Sequence, residues 1–195
     1  MTKLQDAKIG LRRELKNWLN TIEDISKREW NKRISHSVDE LIHQFSQEKM
    51  TNHQKPLVGG YFPMTDEAGW LTKLMNYPML CFPHVDKDSH QLRFFQSSVE
   101  DLKKTHLFGK ELFVPDASGE EVFPELLIVP GLSFSLEGKR LGRGGGFYDR
   151  YLESFNGATV GICYEGQLRK SLPTEPHDQE VHVIVTETRV MRIKN

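Results

Sequence analysis

The apolar run Leu126–Pro130 constrains the fold of this chain more than any other segment. Its residues, LLIVP, carry no polar side chain and end at a proline, which is typical of a parallel strand buried on both faces of a sheet. Helical patterns over 66–76 and 147–154 alternate with other strand-like runs, and 113–115 is too short to assign. Further strands are predicted at 57–62, 78–82, 92–96, 158–163 and 181–186. The alternation predicts an α/β fold with a mainly parallel sheet flanked by helices.

Two amphipathic helices are predicted before this region. Apolar residues recur at helical spacing over 4–22 and again over 30–45. Ser26 and Glu29 form the S-x-x-E pattern of a capping box, which predicts that the second helix begins there. The polar stretch 49–55 is expected to end it.

Composition favours a single domain over residues 1–195. The 26 basic and 27 acidic residues nearly cancel, so the net charge of −1 gives no global attraction to nucleic acid or to an anionic membrane. No apolar run approaches the roughly 18 residues of a membrane span and no apolar leader is visible, so we expect a cytoplasmic monomer. Cys81 and Cys163 lie in apolar stretches without CxxC spacing and are expected to be buried thiols.

The glycine cluster at Gly142, Gly144, Gly145 and Gly146 is the most informative segment for function. Glycines permit positive φ and close backbone approach, so successive amides can form an anion-binding nest. A helix beginning near Phe147 would add its free N–H groups. The segment lacks the end of a P-loop and the last glycine of GxGxxG. A flexible turn between a strand and a helix is the competing interpretation.

Charged side chains flank this glycine cluster. Arg140 and Arg143 supply the permanent positive charge that phosphate oxygens favour. Asp149 follows in the first turn of the predicted helix. Magnesium is usually held by one or two carboxylates together with substrate phosphates, but an acid in a first helical turn is also favoured by the helix dipole. Spacing alone leaves both roles open for Asp149.

The stretch PGLSFSLEGKRLGRGGGFYDRYL, residues 130–152, resembles the signature of the 5-formyltetrahydrofolate cyclo-ligase family. The blocks AKIGLRREL, YFPMTDE and LPTEPHDQEVHVIVTE resemble other blocks of that family and occur in its order. The resemblance implies an α/β fold like that of sugar-phosphate isomerases and coenzyme A transferases. It also implies an ATP- and magnesium-dependent closure of 5-formyltetrahydrofolate to 5,10-methenyltetrahydrofolate.

The resemblance also implies site residues, carried over position by position. Arg143 and Glu67 would be catalytic, and Asp149 and Asp178 would hold Mg²⁺. The implied nucleotide site comprises Lys8, Ile9, Gly10, Leu11, Arg12, Arg140, Leu141, Gly142, Arg143, Gly144, Gly145, Gly146, Phe147 and Tyr148. The implied folate site comprises Arg12, Phe62, Glu67, Arg143, Gly144, Gly145, Gly146 and Phe147.

Simpler structural roles compete with these assignments. Lys8 and Arg12 are four residues apart on one helix face, as in a solvated basic stripe. Glu67 could only stabilise the first turn of a helix at 66–76, and Asp178 could only shape a turn.

Two other classes of protein would also explain the glycine–arginine loop. One is a sugar-phosphate isomerase or transferase, and the other is a module that senses a phosphorylated metabolite. Neither explains the family order of the blocks. Ser135, Phe147 and the pair Gly69–Trp70 depart from the family's usual residues, which bears on folate affinity rather than on the reaction.

Overall fold

The computed structural model describes residues 2–48, 55–86, 89–107, 109–175 and 178–193. Positions 49–54 of the predicted helix break lie outside these ranges. Within them, no helix is long and apolar enough to cross a membrane.

Two long helices open the chain, as predicted. Helix α1 spans Lys3–Thr21 and α2 spans Asp24–Glu48. A capping box occurs at the start of α1, where the side chains of Thr2 and Gln5 accept hydrogen bonds from each other's backbone N–H at 3.3 and 3.2 Å. The prediction that the second helix begins at Ser26 is wrong, because α2 already starts at Asp24, an acid that the helix dipole favours there.

The described residues also contain thirteen strands and a third α-helix, α3, at Phe147–Glu153. The strands are β1 Val58–Gly59, β2 Leu80–Val85, β3 Leu92–Gln96, β4 Lys103–Leu107, β5 Lys110–Val114, β6 Glu121–Val122, β7 Leu126–Pro130, β8 Ser133–Ser135, β9 Arg140–Leu141, β10 Ala158–Ile162, β11 Leu168–Arg169, β12 Val183–Val185 and β13 Val190–Arg192.

Eight of these strands form the central sheet, in the order β13-β12-β10-β7-β1-β2-β3-β6. The strands from β12 to β2 in that order pair in parallel, and the strands outside them pair antiparallel. This arrangement confirms the α/β prediction with a mainly parallel sheet. Strands β11, β8 and β9 form a small second sheet, and β4 with β5 forms a hairpin.

Strand β7 shows why the apolar run was a reliable signal. Leu126 and Ile128 pack into one core with the apolar faces of α1 and α2, whereas Leu127 and Val129 pack into a second core with Leu152 of α3. Because successive side chains of a strand point to opposite faces, a strand covered on both faces needs apolar residues at every position.

The helix predicted at 66–76 does not form, and turns take its place. Local hydrogen bonds give the physical reason. The N–H of Gly69 donates to Asn31 Oδ1 at 2.8 Å, and Trp70 Nε1 donates to the carbonyl of Tyr61 at 2.9 Å. The fully buried indole of Trp70 therefore fixes this segment through long-range contacts that helical spacing cannot reveal.

Candidate active site

A cavity of about 620 Å³ lies at the carboxyl ends of β1, β2 and β7. Tyr61 and Phe62 follow β1, Val85 ends β2, and Pro130 and Gly131 lie at the end of β7. In open α/β sheets, ligands bind at this edge of the sheet.

The glycine-rich loop forms one wall of this cavity. Gly144 and Gly146 have φ angles of +102° and +67°, which side chains other than glycine rarely adopt. Arg12 of α1 anchors the loop, because its Nε donates to the carbonyl of Gly142 at 2.8 Å. The loop is therefore tied to the N-terminal helix by a side-chain hydrogen bond.

Arg140 is buried under the loop. Its Nη2 donates to Asp149 Oδ1 at 2.6 Å and its Nη1 donates to the carbonyl of Pro130 at 3.0 Å. Its Nε and the hydroxyl of Tyr148 are buried without a hydrogen-bond partner among the described residues. Burial, and then the charge of Glu67, raise the pKa of Tyr148 well above its ordinary value. Arg140 and Tyr148 both contribute to the lining of the cavity.

Lys8 lies at a second edge of the cavity, between two acids. Its Nζ donates to Glu175 Oε2 at 2.7 Å and to Asp178 Oδ2 at 2.6 Å. Burial alone would lower the pKa of Lys8, but the hydrogen bonds to Asp178 and Glu175 outweigh it, and the pKa is raised. Lys8 is thus a buried, charged side chain and not part of a solvated stripe.

Arg143 makes the most extensive ion pair of the cavity. Its Nη1 and Nη2 donate to the two carboxylate oxygens of Asp66, each at 2.8 Å, and Nη2 also donates to the carbonyl of Asp66 at 3.2 Å. Its Nε donates to Glu67 Oε1 at 2.9 Å. These bonds use four of the five donors of the guanidinium.

The two carboxylates that hold Arg143 differ in acidity. Burial raises the pKa of Glu67, although the charge of Arg143 opposes this. Burial would also raise the pKa of Asp66, but its hydrogen bonds from Arg143 outweigh that effect, and the pKa is lowered. Glu67 therefore takes up a proton more readily than an exposed glutamate, whereas Asp66 stays ionised to lower pH.

Apolar side chains form another part of the cavity wall. Phe62 and Phe113 pack with ring centroids 4.6 Å apart, and the β4–β5 hairpin contributes Leu107, Leu112 and Val114. Flat apolar surfaces of this kind suit an aromatic or heterocyclic ring.

Most of the implied site residues meet at this cavity. The residues that line it are Lys8, Arg12, Phe62, Glu67, Arg140, Leu141, Gly142, Arg143, Gly144, Gly145, Gly146, Phe147, Tyr148, Asp149 and Asp178. Ile9, Gly10 and Leu11 do not line it. Positions one and two residues after Lys8 do not share its face of the helix. Ile9 is exposed and Leu11 packs against the core beneath the helices.

Sequence reasoning missed several residues that line the cavity: His90, Lys110, Leu112, Phe113, Val114 and Glu175. The hairpin had a weak signal, because Gly109 marks a turn before a short run that ends in Leu112, Phe113 and Val114. Glu175 had none, since its position is set by its contact with Lys8 from the other end of the chain.

Asp149 and Asp178, the implied metal ligands, both line the cavity. No hydrogen bond from a described residue reaches Oδ2 of Asp149, which leaves that oxygen available to a cation. No cluster of three or more His, Cys, Asp or Glu occurs within the described ranges. Mg²⁺ is usually held by one or two carboxylates with substrate phosphates, so the two acids fit this ion better than a metal that needs a full protein cage.

Fold and cavity together define an α/β protein with a charged small-molecule site at the carboxyl edge of a parallel sheet. A sequence model of the 5-formyltetrahydrofolate cyclo-ligase family matches residues 4–187. The chain belongs to this family.

Individual relatives agree with that assignment. The chain is 32% identical over 155 residues to the mitochondrial 5-formyltetrahydrofolate cyclo-ligase of Arabidopsis thaliana, a match that covers 66% of this chain and 56% of that protein. It thus spans about half the length of that relative. It is 27% identical over 158 residues to the 5-formyltetrahydrofolate cyclo-ligase of Haemophilus influenzae, covering 73% of this chain and 82% of the relative.

Solved structures resemble the chain along nearly its whole length. The 5,10-methenyltetrahydrofolate synthetase of Aquifex aeolicus superposes with a TM-score of 0.76 at 27% identity, covering 96% of this chain and 93% of that one. The synthetase of Mycoplasma pneumoniae gives a TM-score of 0.68 at 18% identity, covering 92% and 98%, and supports the fold alone.

Proposed function

We propose that this chain catalyses the ATP- and magnesium-dependent cyclisation of 5-formyltetrahydrofolate to 5,10-methenyltetrahydrofolate in the cytoplasm, releasing ADP and phosphate. The observation that carries the proposal is that distant parts of this chain meet at one cavity. The chain belongs to the family, and its glycine-rich loop, Lys8, Arg12 and Glu67 all line that cavity.

The polar side of the cavity suits a triphosphate. The loop 142–146 supplies backbone amides, and Lys8, Arg12 and Arg140 supply positive charge beside it. Phosphoryl transfer depends mainly on positioning and on neutralised charge, and these groups provide both. Asp149 and Asp178 would hold Mg²⁺, which when bound contributes further neutralisation of the phosphate charge.

The apolar side suits the reduced folate. Phe62 and Phe113 offer ring surfaces for its pterin, and Glu67 lies at the same cavity, where it can accept hydrogen bonds from the pterin N–H groups. Arg143 holds the Glu67 carboxylate in place. A ligand oriented by these groups would present its formyl group towards the glycine-rich loop.

The chemistry proceeds by activation of an amide. The formyl oxygen attacks the γ-phosphorus of ATP, the bond to the ADP oxygen breaks, and a phosphorylated formyl intermediate forms. Nitrogen 10 of the folate then attacks the formyl carbon and loses its proton. The carbon–oxygen bond breaks, the former formyl oxygen leaves in phosphate, and the 5,10-methenyl bridge remains. No covalent protein nucleophile is needed, which agrees with burial raising the pKa of both cysteine thiols.

A turnover assay tests the proposal. Purified protein with ATP, Mg²⁺ and 5-formyltetrahydrofolate should generate the near-ultraviolet absorbance of the methenyl product, and one ADP should form for each product. Reactions without ATP and reactions of Glu67→Gln protein serve as controls. A folded wild-type protein that is stabilised against heat by sugar phosphates, but not by ATP with Mg²⁺, and that gives no product would contradict the proposal.

A further inference from the structure

Asp66 makes more hydrogen bonds to Arg143 than Glu67 does, although neither the site residues that the resemblance implies nor the lining of the cavity includes Asp66. We propose that Asp66 is a positioning residue: its carboxylate fixes the Arg143 guanidinium and, through it, fixes the carboxylate of Glu67 at the folate side of the cavity. The proposal rests on the proposed function for its catalytic consequence, but not for its structural part.

The geometry of the hydrogen bonds carries the first step. Asp66 accepts from Nη1 and Nη2 of Arg143 through both carboxylate oxygens, each at 2.8 Å. Such a two-bond pair fixes the plane of the guanidinium as well as its position. Glu67 accepts only one bond from Arg143, at Nε, and its other oxygen accepts from the N–H of Met64 at 3.0 Å. A single bond leaves the guanidinium free to rotate about it.

The position of Arg143 in the chain carries the second step. It lies between β9 and α3, with Gly142 and Gly144 on either side, in backbone that belongs to no helix or strand. Arg12 anchors the carbonyl of Gly142, and the ion pair with Asp66 fixes the far end of the Arg143 side chain. Asp66 lies in the turn that follows β1, so the ion pair joins the glycine-rich loop to the edge of the central sheet.

Electrostatics make this role measurable. Arg143 lowers the pKa of Glu67, and the charge of Asp66 raises it, but the effect of Arg143 is the larger of the two. Lys110, Tyr61 and Tyr148 are the other titratable groups near Glu67. If Asp66 positions Arg143, its removal releases the arginine and the pKa of Glu67 rises. If Glu67 alone holds Arg143, removal only deletes a negative charge and the pKa falls.

Carbon-detected NMR of the ligand-free protein can read this sign. The Glu67 side-chain carboxyl signal is assigned by its loss in Glu67→Gln and is titrated in wild type, Asp66→Ala, Asp66→Glu and Asp116→Ala. We expect a raised pKa in Asp66→Ala, a smaller rise in Asp66→Glu, and no change in Asp116→Ala. This last variant removes an exposed aspartate that pairs with Lys103 outside the cavity. A lowered or unchanged pKa in Asp66→Ala overturns the proposal.

Turnover gives a second readout. Asp66→Ala should lower kcat by about 10- to 100-fold, as expected for reacting groups misplaced by roughly 1 Å, with partial recovery in Asp66→Glu. Thermal melting identifies variants that have lost the fold. If Asp66→Ala does not fold, the comparison of Asp66→Glu with wild type is the test. Inactive wild-type protein would refute the proposed function, while the NMR titration would still decide the role of Asp66. Wild-type kcat in a folded Asp66→Ala protein overturns the catalytic part of the inference.

Discussion

Two ion-pair clusters at the same cavity each join one basic side chain to two carboxylates. The lysine cluster comprises Lys8, Glu175 and Asp178, and the arginine cluster comprises Arg143, Asp66 and Glu67. The stoichiometry is the same, yet the bonding differs. An ammonium is a compact point charge with rotatable donors, whereas a guanidinium is a rigid planar fork.

That difference separates two tasks. The lysine cluster neutralises charge without demanding one geometry, so its carboxylates can exchange Lys8 for another cation. The arginine cluster fixes the orientation of its carboxylates, because four hydrogen bonds hold the plane of the Arg143 guanidinium. We therefore expect substitutions that change the shape of the basic side chain to matter most in the arginine cluster. In the lysine cluster, substitutions that remove its charge should matter most.

Replacing Arg143 should have the largest effect. Arg143→Ala should reduce kcat/KM by about 100- to 1000-fold, the range for removal of a group that stabilises developing charge. Arg143→Lys keeps the charge but lacks the fork, so it should remain at least about tenfold below wild type. Steady-state kinetics check this, with Arg169→Lys, which alters an exposed pair with Glu14, as a control. Full activity of Arg143→Lys would remove the proposed contrast between the clusters.

Changing the two implied metal ligands should have the second-largest effect on activity. Asp149→Asn and Asp178→Asn should each raise the Mg²⁺ concentration for half-maximal activity by about 10- to 100-fold, since even groups behind metal ligands have effects of that size. Mg²⁺ titrations of the rate measure this change. An Asp149→Asn protein that loses stability but keeps the wild-type Mg²⁺ requirement would show that Asp149 serves only Arg140 and the helix.

Removing the cation of the lysine cluster should cost stability in addition to any loss of nucleotide binding. Lys8→Met removes the ammonium that lies between two acids and should lower the free energy of unfolding by about 2 kcal/mol, less than for a fully enclosed pair because Glu175 is partly exposed. Because the pKa of Lys8 is raised in the folded state, this stabilisation is present below its ordinary value of 10.5 and is lost at higher pH. Denaturant unfolding of wild type and Lys8→Met at pH 7 measures the predicted change in the free energy of unfolding.

The matched control for that experiment is Lys103→Met, which breaks an exposed pair with Asp116. It should change the free energy of unfolding by less than about 1 kcal/mol. Equal losses in the two variants would mean that burial of Lys8 adds nothing to the lysine cluster.

Glu67→Gln should have the smallest effect on stability, within about 1 kcal/mol at neutral pH. The raised pKa of Glu67 means that its ionised form is disfavoured in the folded state, so the amide should leave the protein equally or more stable there. The difference in free energy of unfolding between Glu67→Gln and wild type should shrink as pH falls towards 4.5, the ordinary pKa of glutamate, because the wild-type carboxyl becomes protonated. Urea unfolding across this pH range is the measurement. A large loss of stability in Glu67→Gln would instead show that the Arg143–Glu67 pair stabilises the fold.

The sequence predicted this molecule best where local chemistry leaves few choices. The run Leu126–Pro130 needed cover on both faces, and Gly144 and Gly146 of the loop adopt backbone angles that suit little else. Ser135 illustrates a departure that the structure explains. Its Oγ accepts from the N–H groups of Glu137 and Lys139 at 3.2 and 3.1 Å, so it shapes the turn before Arg140.

Prediction failed where distant contacts override local preference. The segment 66–76 has helical spacing, but bonds to Asn31 and Tyr61 hold it in turns. The residues that line the cavity on β5 carry ordinary strand side chains, so no chemical signature distinguished them. Partners such as Asp66 for Arg143 become visible only once the chain is folded.

The bond between Lys8 and Asp178 joins positions 170 residues apart, with consequences for how the protein is made. A ribosome adds Asp178 170 residues after Lys8, so the cavity cannot be complete until both residues have been made. Contacts of such long separation form late and slowly. Ligands that bind the assembled cavity would then stabilise chains that include Asp178 over chains that stop before it, so metabolite supply would influence how much of this protein survives proteolysis.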